Sequence, residues 1–341
     1  MKRKGKIIAG SILGAILLVA LAAIGIWEYV ASPYEGDAAA WIYLPRGTAS
    51  EALSDSLRSA LGNRVGSRTY RIYRAAAKSA EPIYGAYRIE PGTPAKDIAR
   101  RIVRHRQTPV RLTFNNVRTL PQLAQRIAGQ MDFTEADFLA ALDTILPSAG
   151  FNGREQFTAA FLPDTYEFYW TTPADLTATR LLQARNDFWT PERRQKATSL
   201  GLTPVQAATI ASIAEEETNN RAERATIGRL YLNRVRKGMK LQADPTVKFA
   251  LGDFSLRRIR GEHLRVNSPY NTYLVSGLPP GPIRVAEART IDALLNSAPH
   301  DYIYMCAKED FSGTHNFASD YSTHLANARR YQRALNARNI R

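Results

Sequence analysis

Three consecutive glutamates, Glu215, Glu216 and Glu217, follow an apolar run in the stretch ASIAEEETNNR. A carboxylic acid donates protons near neutral pH only where burial opposes its charge, so the question is which of the three is recessed. Thr203 and Pro204 read as the cap and first position of a helix running into the motif. At about 100° per residue, Ile210, Ile213, Ala214 and Glu217 share one face, while Glu215 and Glu216 point away from it. The wheel predicts two surface carboxylates and one, Glu217, that extends the apolar stripe as a candidate general acid. A frayed helix end with all three in water is the competing reading. Ordinary glycosidases need two carboxylates, and Asp244 in QADPT is the obvious second.

Other chemistries find little support. The chain has no Gly-rich phosphate loop, no G-x-S-x-G elbow and no kinase signature. His300, His315 and His324 lack metal-ligand spacing, so neither a metal nor a cofactor is expected. The single cysteine, Cys306, lies in the strand-like YIYMCAK, where a thiol is usually inert. A formal net charge of +15 raises nucleic acid as a partner. No zinc-finger spacing, RNP-type motif or long basic run accompanies it, and no nucleic-acid partner is expected.

Several elements must position these carboxylates. After the glutamates, ERATIGRLYLNRVRKGMKL reads as an amphipathic helix carrying Ile227, Leu230, Tyr231 and Val235. The loop NSPYNTYLVSGLPPGPI, residues 267–283, combines four prolines with two asparagines and two tyrosines. Rigid backbone with polar side chains is where a substrate site is held. Upstream, FLPDTYEFYW (161–170) is dense in aromatics and reads first as core, although Asp164, Tyr166 and Tyr169 suit a sugar-binding groove. Two segments, IYLPRGTASEALSDSLRSAL and AYRIEPGTPAKDIARRIVRH, form a weak repeat of strand, Gly-Thr turn and helix, matching Gly47 to Gly92, Leu53 to Ile98 and Leu57 to Ile102. Small α+β modules fit such a repeat better than a solenoid.

The N-terminus predicts a membrane anchor. Residues 7–27 form an uncharged 21-residue apolar run, about the length that crosses a bilayer core. Lys2, Arg3, Lys4 and Lys6 precede it, which keeps the N-terminus in the cytoplasm. A cleaved signal peptide is the alternative, but the run exceeds the usual apolar region of one. Everything after residue 30 is then expected outside the cytoplasm.

The motifs PDTYEF (163–168), ASIAEEET (211–218), LYLNRVRKGMKLQADPTVKFALG (230–252) and SPYNTYLVSGLPPGPI (268–283) closely resemble the MltG (YceG-like) family of endolytic murein transglycosylases. The resemblance covers about residues 40–335, and the second copy of the repeat resembles a LysM peptidoglycan-binding module. It implies an α+β protein with a cytoplasmic tail (1–6), a transmembrane helix (7–27), a LysM-like domain (28–110) and a YceG-like catalytic domain (111–341). It also implies a single-pass inner-membrane lyase, periplasmic in its catalytic part, that cuts the MurNAc-GlcNAc bond of nascent strands and leaves a 1,6-anhydro-muramoyl end. Peptidoglycan strands, the inner membrane and peptidoglycan synthases are the implied partners. The family's catalytic glutamate falls on Glu217. Arg234, Gln242, Asp244, Thr246, Tyr270, Asn271, Thr272 and Tyr273 match its pattern and, with Asp164 and Tyr166, are expected to bind substrate. Many members carry Glu-Gly where this chain has Asn115-Asn116, and Lys where it has Glu216. A muramidase-type hydrolase using Glu217 with Asp244 and a non-catalytic wall-binding scaffold are the alternatives.

Overall fold

The computed structural model describes residues 2–77, 83–256 and 258–338; the side chains of the basic tail, 1–6, lie outside that description. The first helix, α1 (Lys2–Val30), contains the segment Ile12–Val30, whose mean hydropathy is 2.1 and of which none is buried. It is long and apolar enough to cross a membrane. The chain divides into two compact units, one of residues 1–112, 130–132 and 167–173, the other of the remainder.

In the first unit, β1 (Ala40–Thr48) pairs antiparallel with β2 (Ile83–Ile89), in register from Ala40 opposite Ile89 to Leu44 opposite Gly85. Between them runs α2 (Ser50–Ala76), kinked at Gly62, and after them α3 (Ala95–Val103). Ile42, Leu44, Tyr87 and Ile89 of the strands close on Leu53, Leu57, Ile98 and Ile102 of the helices, all at 1% exposure or less. The repeat seen in the sequence has a common turn geometry. Gly47 and Gly92 both sit at φ +81, a left-handed conformation that glycine adopts without steric cost. The following threonines, Thr48 and Thr93, donate their hydroxyls to the carbonyls of Pro45 and Glu90 at 2.6 and 2.7 Å.

The second unit is mostly helical. From residue 110 the chain order is β3 (Val110–Phe114), α4 (Leu120–Ala128), α5 (Glu135–Ser148), a 3-10 turn (Arg154–Ala160) and β4 (Asp164–Phe168), which pairs with β3; each strand has residues in both units. Then come α6 (Ala174–Phe188), α7 (Pro191–Ser199), α8 (Pro204–Glu217), α9 (Arg224–Arg236) and α10 (Asp244–Leu251). The chain closes with α11 (Ala288–Leu295), the antiparallel hairpin β5 (Tyr304–Ala307) and β6 (His315–Ala318), and α12 (Tyr321–Ala337). Local chemistry fixes the helix starts. Thr119, Thr134 and Thr203 each close a capping box, with Gln122, Asp137 and Gln206 three residues on.

The helix α8 is the centre of this unit. Every residue from Ala207 to Glu215 is buried, with no exposed face anywhere along that stretch. α9 and α11 pack against it, and its C-terminal end carries the three glutamates.

Candidate active site

The enclosure of α8 corrects the sequence reading of two glutamates. A helical wheel assigns solvent to the side opposite the apolar stripe, but α8 has protein on every side. Glu215 is 3% exposed and Glu216 half-buried, and both face arginines rather than water. The Glu215 carboxylate lies 3.0 Å from Arg284 and 4.0 Å from Arg224, and it accepts the Glu287 backbone N–H at 2.8 Å. Burial pushes its pKa up. Glu216 receives both Nε and Nη2 of Arg118 at 3.0 Å and Nη1 of Arg284 at 2.9 Å. Arg284 also donates to the Asn116 side chain at 3.1 Å. Asn116 itself sits at φ +49, a left-handed position where Asn substitutes for Gly. The two carboxylates thus lock the end of α8 to the 116–118 turn and to the 267–283 loop and its continuation.

Glu217 alone turns into open space. It lines a cavity of about 220 Å³ with Leu230, Tyr231 and Arg234 of α9, Leu241, Gln242 and Asp244 of the next turn, Tyr273 and Met305. The Tyr231 hydroxyl donates to the Glu217 carboxylate at 2.5 Å. Burial raises the Glu217 pKa from 4.5 to about 7, with the Asp244 charge pushing the same way. The Tyr231 hydrogen bond, His315 and Lys248 oppose that rise without cancelling it. His315 is itself held by Glu223, through the ring Nδ1 at 3.0 Å and the backbone N–H at 2.9 Å.

The opposite wall carries a second hydroxyl–carboxylate pair. Tyr273 donates to Asp244 Oδ1 at 2.7 Å, and burial with the Asp244 charge pushes the Tyr273 pKa well up. Arg234 donates to the carbonyls of Ile303 and Leu241 at 2.6 and 2.7 Å, so its guanidinium pins the residue just before β5 and the 241–244 turn at the cavity's edge. Gln242 sits at φ +49, a strained position for a residue with a side chain.

Other residues of the matching motifs stand behind this wall. Thr246, Asn271 and Thr272 are fully buried at 0% exposure and present no surface to the cavity. Thr272 instead receives the N–H groups of Gln242 on its carbonyl (3.1 Å) and Ala243 on its hydroxyl (3.0 Å), and its hydroxyl meets that of Thr246 at 2.8 Å. Asn271 donates to the carbonyls of Leu264 and Val266 and accepts the Tyr273 N–H at 3.1 Å. These three side chains frame the turns that hold Gln242, Asp244 and Tyr273. Tyr270 is also buried, its ring 4.6 Å from that of Phe249. Asp164 and Tyr166 are not brought to the cavity. Asp164 is exposed on β4, and Tyr166 stacks on Phe114 and donates to the Leu162 carbonyl at 2.8 Å.

The loop is anchored by close fits. Ser212, buried in α8, accepts the Ile283 N–H at 3.0 Å. Gly281 lies so near the Glu155 carbonyl that a Cβ there would stand 1.8 Å from its oxygen. Tyr231 is the polar cavity residue that the sequence places only in an apolar stripe. A hydroxyl in an aliphatic stripe needs a buried partner, and that requirement was the available signal. Among the described residues, no group of three or more His, Cys, Asp and Glu is arranged to hold a metal ion.

A carboxyl with its pKa raised to about 7, a hydroxyl partner and a second carboxylate across a small polar cavity are the groups that general acid–base chemistry requires. Comparison with known proteins places most of the chain. The YceG-like family model matches residues 42–330, and the chain belongs to that family. A Bacillus subtilis protein named endolytic murein transglycosylase is 42% identical over 102 residues, 30% of this chain and 28% of that protein. A Streptococcus pneumoniae protein of the same name is 26% identical over 255 residues, 65% of this chain and 46% of that protein. The matched segments therefore span less than half the length of either relative. The crystal structure of a yceG-like protein from Listeria monocytogenes is 25% identical with a TM-score of 0.56, covering 85% of this chain and 99% of that one.

Proposed function

We propose that the chain is a membrane-anchored endolytic transglycosylase of peptidoglycan, with Glu217 as its acid and base. The observation that carries the reading is the Glu217 carboxyl, held near pH 7 by burial and opening into a cavity. In the protonated state Glu217 gives its proton to the glycosidic oxygen between N-acetylmuramic acid and N-acetylglucosamine, and the bond to the muramoyl anomeric carbon breaks. The resulting carboxylate takes the proton of the muramoyl 6-hydroxyl, whose oxygen bonds to the anomeric carbon and closes a 1,6-anhydro ring. The nucleophile is tethered, so proximity replaces an activated water. Tyr231 orients the Glu217 carboxyl, and Asp244 places negative charge beside the developing oxocarbenium.

Within this reading α1 is a retained anchor, residues 28–110 a LysM-like glycan-binding domain and 111–341 the catalytic domain, all beyond α1 lying in the periplasm. Peptidoglycan synthases are its natural neighbours, because it would cut strands as they are made. The names of the curated relatives support the substrate class. Glu217→Gln keeps the shape and loses the proton, so cleavage of purified peptidoglycan should fall at least ~100-fold. Asp244→Asn should weaken cleavage less. An active Glu217→Gln protein would remove the assignment. One observation favours a second reading. Asp244 shares the cavity with Glu217 and could activate water, as in a hydrolase, although its Oδ1 is already engaged by Tyr273.

A further inference from the structure

A separate cavity of about 450 Å³ opens on the first unit, lined by Pro91, Gly92, Thr93 and Pro94 of the second Gly-Thr turn together with Asp97, Arg100, Arg101 and Arg106. Its charge is lopsided, three arginines against one aspartate. Arg100 engages Asp97 at 3.1 Å, and Arg101 reaches the Arg88 carbonyl at 3.3 Å. The Arg106 guanidinium makes no hydrogen bond or ion pair with any described residue. Nothing on the wall neutralises the excess positive charge.

The position of this cavity relative to α1 gives it meaning. The turn that forms its floor is hydrogen-bonded to the residues that leave α1. Tyr34 N–H donates to the Thr93 carbonyl at 2.9 Å, Gly92 N–H to Tyr34 at 2.7 Å and Ala95 N–H to Ser32 at 2.9 Å, and Pro33 bridges Pro94. From Val30, where α1 ends, to Pro33 is at most about 10 Å of extended chain. The polar headgroup layer on each side of a bilayer core is of that order, roughly 5–8 Å. Cations also pack on the interfacial aromatics of α1 itself. Lys96 Nζ stands 4.2 Å from the Trp27 ring centre and Arg68 5.0 Å from that of Tyr29, with the Arg71 guanidinium 3.4 Å from the Tyr29 hydroxyl. Trp and Tyr mark the membrane–water interface, and long basic side chains extend to it from either side.

We infer that the cavity of Arg100, Arg101 and Arg106 binds the phosphate of an anionic phospholipid headgroup in the leaflet where α1 ends. This rests on reading α1 as a membrane span. Guanidinium groups suit phosphate through paired N–H donors, and each basic side chain near an anionic surface is worth roughly fivefold in affinity. The bound lipid would fix the tilt of the first unit on the membrane.

The test uses the full chain in neutral detergent, titrated with phosphatidylglycerol or phosphatidylcholine and followed by native mass spectrometry. Wild type should take up phosphatidylglycerol far more tightly than phosphatidylcholine. The triple variant Arg100→Gln, Arg101→Gln, Arg106→Gln should lose roughly 100-fold of that preference. A variant with the same charge loss elsewhere, Lys237→Gln, Arg329→Gln, Arg333→Gln, should keep it. The three cavity arginines lie on the surface, and an unchanged circular dichroism spectrum would show the fold intact. Equal uptake of both lipids by wild type, or an unchanged preference in the triple variant, overturns the inference. Full displacement of phosphatidylglycerol by inorganic phosphate also overturns it, in favour of a soluble-anion site. The same spectra report the intact mass, so loss of α1 by cleavage would be recognised as failure of the anchor reading.

Discussion

Glu217 should make the protein less stable as pH rises, and its removal should abolish part of that dependence. Raising the carboxyl from 4.5 to about 7 makes its ionisation in the folded protein harder than in the unfolded chain. At roughly 1.4 kcal/mol per factor of ten this is about 3 kcal/mol, or about 2 once the water-facing side of the cavity is allowed for. The sign follows from proton binding. Below pH 4.5 both states hold the proton and the raised pKa costs nothing. Between 4.5 and 7 the unfolded chain releases it first, so native stability falls, and above about 7 the loss is complete. Gln at 217 has no such ionisation but keeps an oxygen for Tyr231. Thermal unfolding of the full chain in neutral detergent, across this range, should show Glu217→Gln gaining on wild type as pH rises. The gain corresponds to roughly 4–8 °C at the alkaline end for a unit of this size. Glu215 titrates in both proteins and cancels in the difference. Parallel curves, or a gap that opens toward acid, would refute the burial argument.

Tyr231→Phe removes a hydrogen bond that favours the charged form of Glu217. The alkaline limb of the pH–activity profile should therefore move to higher pH, by about one unit, while the rate at its plateau falls; an unmoved limb would mean the hydroxyl does not act on the acid. Arg284→Met leaves Glu215 buried with its nearest cation gone and should cost about 3 kcal/mol in denaturant unfolding. A loss under about 0.5 kcal/mol would show that the pair holds little of the fold together.

Local rules and tertiary surroundings divide what was legible in the sequence. The start of α8 follows from Thr203, Pro204 and Gln206, which act on their own backbone. The paired turns at Gly47 and Gly92 were legible for the same reason, since a left-handed φ is a local demand. The recessed position of Glu217 at the end of an apolar stripe also came from periodicity. Periodicity failed for Glu215 and Glu216 because their partners, Arg118, Arg224 and Arg284, arrive from other elements and enclose a helix the wheel assumed to be half in water. The same limit applies to Thr246, Asn271 and Thr272. Their types mark a polar, rigid loop, but whether a polar side chain lines a cavity or braces the turn behind it depends on packing. Tyr231 combined both roles, ring in the core and hydroxyl at the site, and an apolar stripe records only the first.

The central claim is that Glu217 acts alone, with the muramoyl 6-hydroxyl as nucleophile, and the product of a peptidoglycan digest tests it most directly. Mass spectrometry of fragments released by the full chain should find muramoyl ends lighter by one water than hydrolytic ends and unreactive to borohydride. Asp244→Asn should slow their release without changing their mass. Fragments dominated by reducible, water-added ends would contradict the account and move Asp244 into the chemistry as the base that activates water.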